Sequence, residues 1–136
     1  MHYRKIFFVV LSAVTMFLSP LAARASCTQP DVAGNWELYL QVVTSTGSDW
    51  IRCKVKIDGT GVIANTICDA STAATGTLSD AKIVLSKGQF CTFTGHFETS
   101  KVLNSIDHLT LALNKQTGSG VGTRADGYFL ITMTKL

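Results

Sequence analysis

From Ile51 to Asp58 the chain alternates without a break. Ile51, Cys53, Val55 and Ile57 fall on one side, and Arg52, Lys54, Lys56 and Asp58 fall on the other. Successive side chains of an extended strand point to opposite faces, so this pattern buries one face of a β-strand and wets the other. One such strand cannot bury its apolar face alone, and the rest of the chain supplies partners. Runs of strand character cover Trp36 to Thr44, Trp50 to Asp58, Val62 to Cys68, Phe90 to Glu98, Ile106 to Asn114 and Tyr128 to Lys135. Thr75 to Leu78 and Lys82 to Ser86 read as a short pair around Ser79-Asp80-Ala81. Asp58-Gly59-Thr60-Gly61 has the residues of a tight hairpin turn. Thr99 to Ser105 reads as a loop, and so does Lys115 to Asp126, which is rich in Gly, Ser and Thr. By alternation Cys91, Phe93, Phe97, Leu109, Leu111 and Leu113 point inward, whereas Thr92, Thr94, His96, His108 and Thr110 point outward. No segment reads as a helix in this part of the chain.

About eight short strands joined by hairpin loops predict an all-β fold, a single antiparallel up-and-down barrel. Closing the sheet removes the edges that make open sheets aggregate. An eight-stranded barrel has an interior just wide enough for side chains or one small ligand. At this chain length the expectation is a packed core, with at most a shallow pocket at one mouth.

The N-terminus has a different character. His2, Arg4 and Lys5 precede an apolar run from Ile6 to Leu18, and Ala23-Arg24-Ala25 places small residues where a signal peptidase reads them. This order predicts a secretory signal over residues 1–25 and a mature domain over 26–136. The apolar run is about 13 residues, short of the roughly 20 that cross a bilayer. Arg24 sits where a lipoprotein signal wants an apolar residue, which argues against a lipid on Cys27. The whole chain carries 12 Lys+Arg and 9 Asp+Glu. The leader holds Arg4, Lys5 and Arg24 and no acid, so the remainder has 9 basic and 9 acidic residues and no basic stripe for nucleic acid or anionic lipid. The expected product is exported, periplasmic or secreted, with no membrane attachment once the signal is cleaved.

All four cysteines, Cys27, Cys53, Cys68 and Cys91, lie beyond the leader. An even count in a small exported domain predicts two disulfides. Three pairings are open. A hairpin turning at Asp58-Gly59-Thr60-Gly61 brings Cys53 and Cys68 nearly opposite, which favours Cys53–Cys68 and leaves Cys27–Cys91 to tie the N-terminal segment to the barrel wall. The spacings fit no zinc site, and no metal or cofactor is expected.

Ala33-Gly34-Asn35-Trp36 is a G-x-W at the entry to the first strand. The Gly allows a sharp bend and the Trp plugs one end of a barrel. In a closed meander the last strand pairs with the first, which sets Lys135 beside Trp36 for a cation–π contact. With Gly34, Trp36, the meander and a basic residue in the final strand, the chain resembles the calycin group: lipocalins, fatty-acid-binding proteins, and the small bacterial metalloprotease inhibitors of the periplasm. It is similar to the inhibitors in mature length and in a cysteine, Cys53, on the strand after G-x-W. The resemblance implies a small β-barrel that binds an apolar ligand or inhibits an exported protease. The inhibitors carry one disulfide and act through a free N-terminal arm. A bridged Cys27 would leave that arm too short to reach a protease cleft.

Tyr39, Trp50, Phe90, Phe97 and Tyr128 are the aromatic candidates for lining a ligand pocket, although in small β-domains such residues mostly serve the core. His96 and His108 fall on the polar face. Asp107 next to His108 forms no dyad under strict alternation, because neighbours in a strand point apart. There is no G-x-S-x-G elbow, and the carboxylates are scattered singly. Gly118, Gly120 and Gly122 do not stand between a strand and a helix, so they are no phosphate loop. The sequence therefore predicts no enzyme. It predicts an exported binding module for an apolar small ligand or a protein partner, with inhibition of a secreted or periplasmic protease as the alternative.

Overall fold

The computed structural model describes residues 26–71, 77–86, 91–99 and 102–136. The expected leader, Phe90 and the turn at 87–89 lie outside them. The described residues begin with a 3₁₀ turn, Gln29–Val32, and continue through eight strands. These are β1 (Gly34–Thr44), β2 (Gly47–Ile57), β3 (Ile63–Ala70), β4 (Ser79–Leu85), β5 (Thr92–Thr99), β6 (Val102–Leu111), β7 (Thr117–Arg124) and β8 (Gly127–Lys135). They form one antiparallel sheet in the order β3-β2-β1-β8-β7-β6-β5-β4. Every chain-adjacent pair is hydrogen-bonded except β3 and β4, and β1 also pairs with β8, from Trp36↔Lys135 to Thr44↔Gly127. The sheet is thus an up-and-down barrel whose single seam lies between β3 and β4. One bridge, Val62↔Lys82, crosses that seam, and the Thr66 hydroxyl accepts from the Leu78 N–H at 3.0 Å.

Local chemistry sets the β2–β3 register. One carboxylate oxygen of Asp58 accepts from the Thr60 hydroxyl at 2.7 Å and from the backbone N–H of Thr60 and Val62 at 2.8 and 3.0 Å. The Thr60 hydroxyl, joined by these backbone donors, holds the Asp58 carboxyl below its ordinary range. The turn brings Cys53 opposite Cys68, and the two are bridged. Cys27 is bridged to Cys91. Both favoured pairings are present, and no cysteine is free.

The strand count agrees with the sequence reading, but three strands differ, the first being β6, whose start at Val102 makes Val102 to Ser105 strand rather than loop. Lys115 to Asp126 is not a loop, since Thr117–Arg124 is a full strand between β6 and β8. Its glycines recur every second residue, and the neighbouring strands come too close for a side chain. A Cβ on Gly120 would lie 2.1 Å from the His108 carbonyl oxygen, and one on Gly122 would lie 2.1 Å from the Phe129 ring. The Phe129 ring packs against Gly122, and Leu111 and Met133 pack against Gly118. The expected turn at Ser79-Asp80-Ala81 is instead the irregular start of one strand, β4, with Asp80 at φ 40°. Leu78 lies outside that strand, and residues 75–76 are outside the described set.

Alternation also fails at three points. Asp107 is the extra residue of a bulge between Ile106 and His108, so both Asp107 and His108 are exposed. Leu113 lies past the end of β6 and is exposed rather than inward. Thr92 is buried at the start of β5.

The inward faces of the strands meet in one core. Trp36, Phe93, Phe129, Leu40, Leu109 and Ile131 are all essentially inaccessible. The Phe97 ring meets Phe129 edge to face at 5.3 Å. Buried side chains from the inward faces of the strands therefore meet along the barrel axis.

Candidate functional site

The two ends of the barrel are built differently. One end gathers the starts of β1, β3, β5 and β7 and is closed by the N-terminal strap. Trp36 lies across it, fully buried, and its indole N–H donates to the Val32 carbonyl at 2.7 Å. Gly34 adopts φ +140°, and a Cβ there would lie 2.5 Å from Cε of Lys135. The bare glycine thus lets the lysine stem cross and places its ammonium 5.3 Å from the Trp36 ring centre. On the strap, the Asp31 carboxylate accepts from the Thr28 N–H at 2.7 Å and pairs with Lys115 at 3.0 Å. The Thr28 N–H, with Lys115 helping, holds the Asp31 carboxyl below its ordinary range.

Among the described residues the other end is open. A cleft of about 400 Å³ lies between the β1–β2 turn, the end of β3 and the β7–β8 turn. Val42 and Ile51 form its apolar floor. Thr44, Thr46, Ser48 and Ser71 bring hydroxyls, and Asp49, Arg124 and Asp126 bring charge. The Arg124 guanidinium is paired with the Asp126 carboxylate. Beneath the floor a void of about 10 Å³ reaches toward Leu40, Phe97 and Phe129, which is space for about one water. Asn104 closes this level. It is buried, and its amide donates to the carbonyls of Val102 at 2.8 Å and Phe97 at 3.2 Å. The mouth can therefore hydrogen-bond and pair with polar groups at its rim, above an interior already filled.

The four described aromatic candidates are not gathered around one space. Phe97 is in the core, whereas Tyr39, Trp50 and Tyr128 project from the outer wall and are substantially exposed. Tyr39 and Trp50 come together, with near-parallel rings 6.0 Å apart. The histidines stand on the outer wall of neighbouring strands. His96 lies 3.9 Å from the Asp80 carboxylate and His108 3.0 Å from the Thr110 hydroxyl. His96 is registered opposite Ser105, three residues before His108. Among the described residues, no three His, Cys, Asp or Glu groups come together to hold a metal.

The residues of the mouth were not singled out in the sequence. Topology carries the signal that finds them: in an up-and-down meander the first, third, fifth and seventh connections share one end. The turn clusters at 44–49 and 124–127 must then converge.

Fold and site together define a disulfide-stapled, nearly closed antiparallel β-barrel with one sealed end, an architecture consistent with a calycin-like fold. The chain matches no family model and no curated relative. Its two disulfides fit an oxidising compartment outside the cytosol, and among the described residues no helix is long and apolar enough to cross a membrane.

Proposed function

We propose that this protein is an exported binding module that recognises a protein partner with the open mouth of its barrel. The observation supporting this reading is the contrast between a filled axis, with space for about one water, and a polar cleft of about 400 Å³ above it. The void beneath the mouth has space for about one water, so an apolar ligand entering there would require Leu40, Phe97 and Phe129 to repack. The rim offers hydroxyls, two carboxylates and a guanidinium over a small apolar floor, a mixture suited to a partner's polar side chains and backbone.

Protease inhibition through a free arm is disfavoured by the bridge at Cys27. Cleavage after Ala25 would leave only Ser26 ahead of it. An inhibitor built on this fold would instead present its mouth turns to the protease.

A photo-crosslinking amino acid at Ser48 in the mouth, compared with one at exposed Val84 on the wall, tests the reading in the exporting cell. Specific adducts are expected from Ser48 alone. Saturable one-to-one uptake of a fatty acid by the delipidated protein, with no adduct at Ser48, would overturn it.

A further inference from the structure

We infer that the N-terminal strap is a thiol-releasable latch over the barrel's seam, and that Gln29 is its key. The seam leaves β4 without a full neighbour on the β3 side. Two β4 backbone groups there, the Ile83 carbonyl and the Leu85 N–H, are engaged by a side chain. The Gln29 amide donates to the Ile83 oxygen at 2.9 Å and accepts from the Leu85 nitrogen at 2.6 Å. One primary amide thus makes the two hydrogen bonds that a residue of a neighbouring strand would make, and so caps an edge that would otherwise stand open. Ile83 N–H meanwhile donates to the Gly61 carbonyl at 2.9 Å, so the seam below Gln29 is closed by backbone.

Gln29 is held in place by its neighbours along the strap. Cys27 is bridged to Cys91 at the entry to β5, Asp31 is paired with Lys115, and Val32 is buried and accepts from Trp36. Of these, the disulfide is the covalent tie. Cys27 is half-buried, whereas Cys91, Cys53 and Cys68 are buried. Thiol exchange needs access to a sulfur, so an external thiolate reaches the Cys27–Cys91 bridge before the other. Attack on the Cys27 sulfur forms a mixed disulfide and expels the Cys91 thiolate, which takes up a proton. The second thiol of a dithiol reductant then closes on the first, leaving Cys27 as a thiol and the reductant as a cyclic disulfide. The strap is freed, Gln29 leaves β4, and the sealed end opens while Cys53–Cys68 still holds the β2–β3 hairpin. The thiol poise of the surroundings thereby governs whether this end is closed.

Limiting dithiothreitol on the oxidised full-length protein, followed by alkylation and amide hydrogen exchange, tests this. Cys27 and Cys91 should be alkylated at least tenfold faster than Cys53 and Cys68. The Leu85 amide should exchange at least tenfold faster, while Leu40 and Ile131 in the β1–β8 ladder hold their rates. Gln29→Ala, with both bridges intact, should release Leu85 without exposing any thiol. Gln29→Glu keeps the acceptor for Leu85 and loses the donor to Ile83, so it should restore part of the protection. Equal alkylation of all four cysteines, or Leu85 exchange within twofold of the oxidised protein after reduction or in Gln29→Ala, would overturn the latch.

Discussion

The sealed end and the mouth of this barrel come from the same eight strands but differ in what covers them. At the sealed end the cover is chain: a 3₁₀ turn, a disulfide, a buried indole and a lysine laid over it. Among the described residues, the cover at the mouth is a set of turns, with hydroxyls and an ion pair around an open cleft. The lesson is that closing a small barrel takes a dedicated segment, and the end where the described residues include none is where another molecule can make contact. Stability should therefore reside at the strap, and recognition at the turns.

Substitutions at the two ends sharpen this contrast. The largest effect is expected from Trp36→Ala, which removes the plug and leaves the Val32 carbonyl unpaired. A loss of about 3–5 kcal/mol should appear as a lower urea midpoint. An equal loss from substituting Thr46 at the mouth would break the comparison. Next is Gly122→Ala on the mouth side of β7, where the new methyl meets Phe129 and the Ser105 carbonyl. Overpacking of this kind costs about 1–3 kcal/mol, whereas a loop glycine would tolerate the change. Thermal unfolding separates the two outcomes. Lys135→Gln keeps much of the stem and removes the cation over Trp36, so about 0.5–1 kcal/mol should be lost at the sealed end.

The smallest effect is the response to acid. Asp31 and Asp58, both at the sealed end, have carboxyls held low by donors that exist only in the folded chain. Their contribution is present above the unfolded carboxylate value of about 4 and is lost as pH falls through the lower folded values. Denaturation midpoints should therefore drop between neutral pH and pH 3. Asp31→Asn should flatten part of that drop and cost less than about 1 kcal/mol at neutral pH, since Asp31 and Lys115 are partly exposed to solvent.

Much of the fold was legible because alternation is a local property. Ile51 to Ile57 marks its buried face residue by residue, and the turn at Asp58 sets the cysteines opposite each other. The β7 strand was not legible, because glycine signals a turn in most contexts. In Thr117–Arg124 it instead marks the inward side of a strand squeezed between bulky neighbours. A period-2 glycine run beside Thr, Ser and Val is itself an alternation, with absence of a side chain as the buried state. The bulge at Asp107 was invisible for a different reason, since one extra residue shifts the facing of everything around it and leaves no mark in composition. The mouth was hidden because its members, such as Thr46, Ser71 and Asp126, are ordinary turn residues that only the strand order brings together.

Methyl-resolved NMR under pressurised xenon probes the filled axis most directly, because apolar cavities large enough for this atom bind it measurably. The methyl signals of Leu40, Leu109 and Ile131 should show no saturable shift. Saturable shifts at these positions would reveal a cavity along the axis and would return the ligand site from the mouth to the interior.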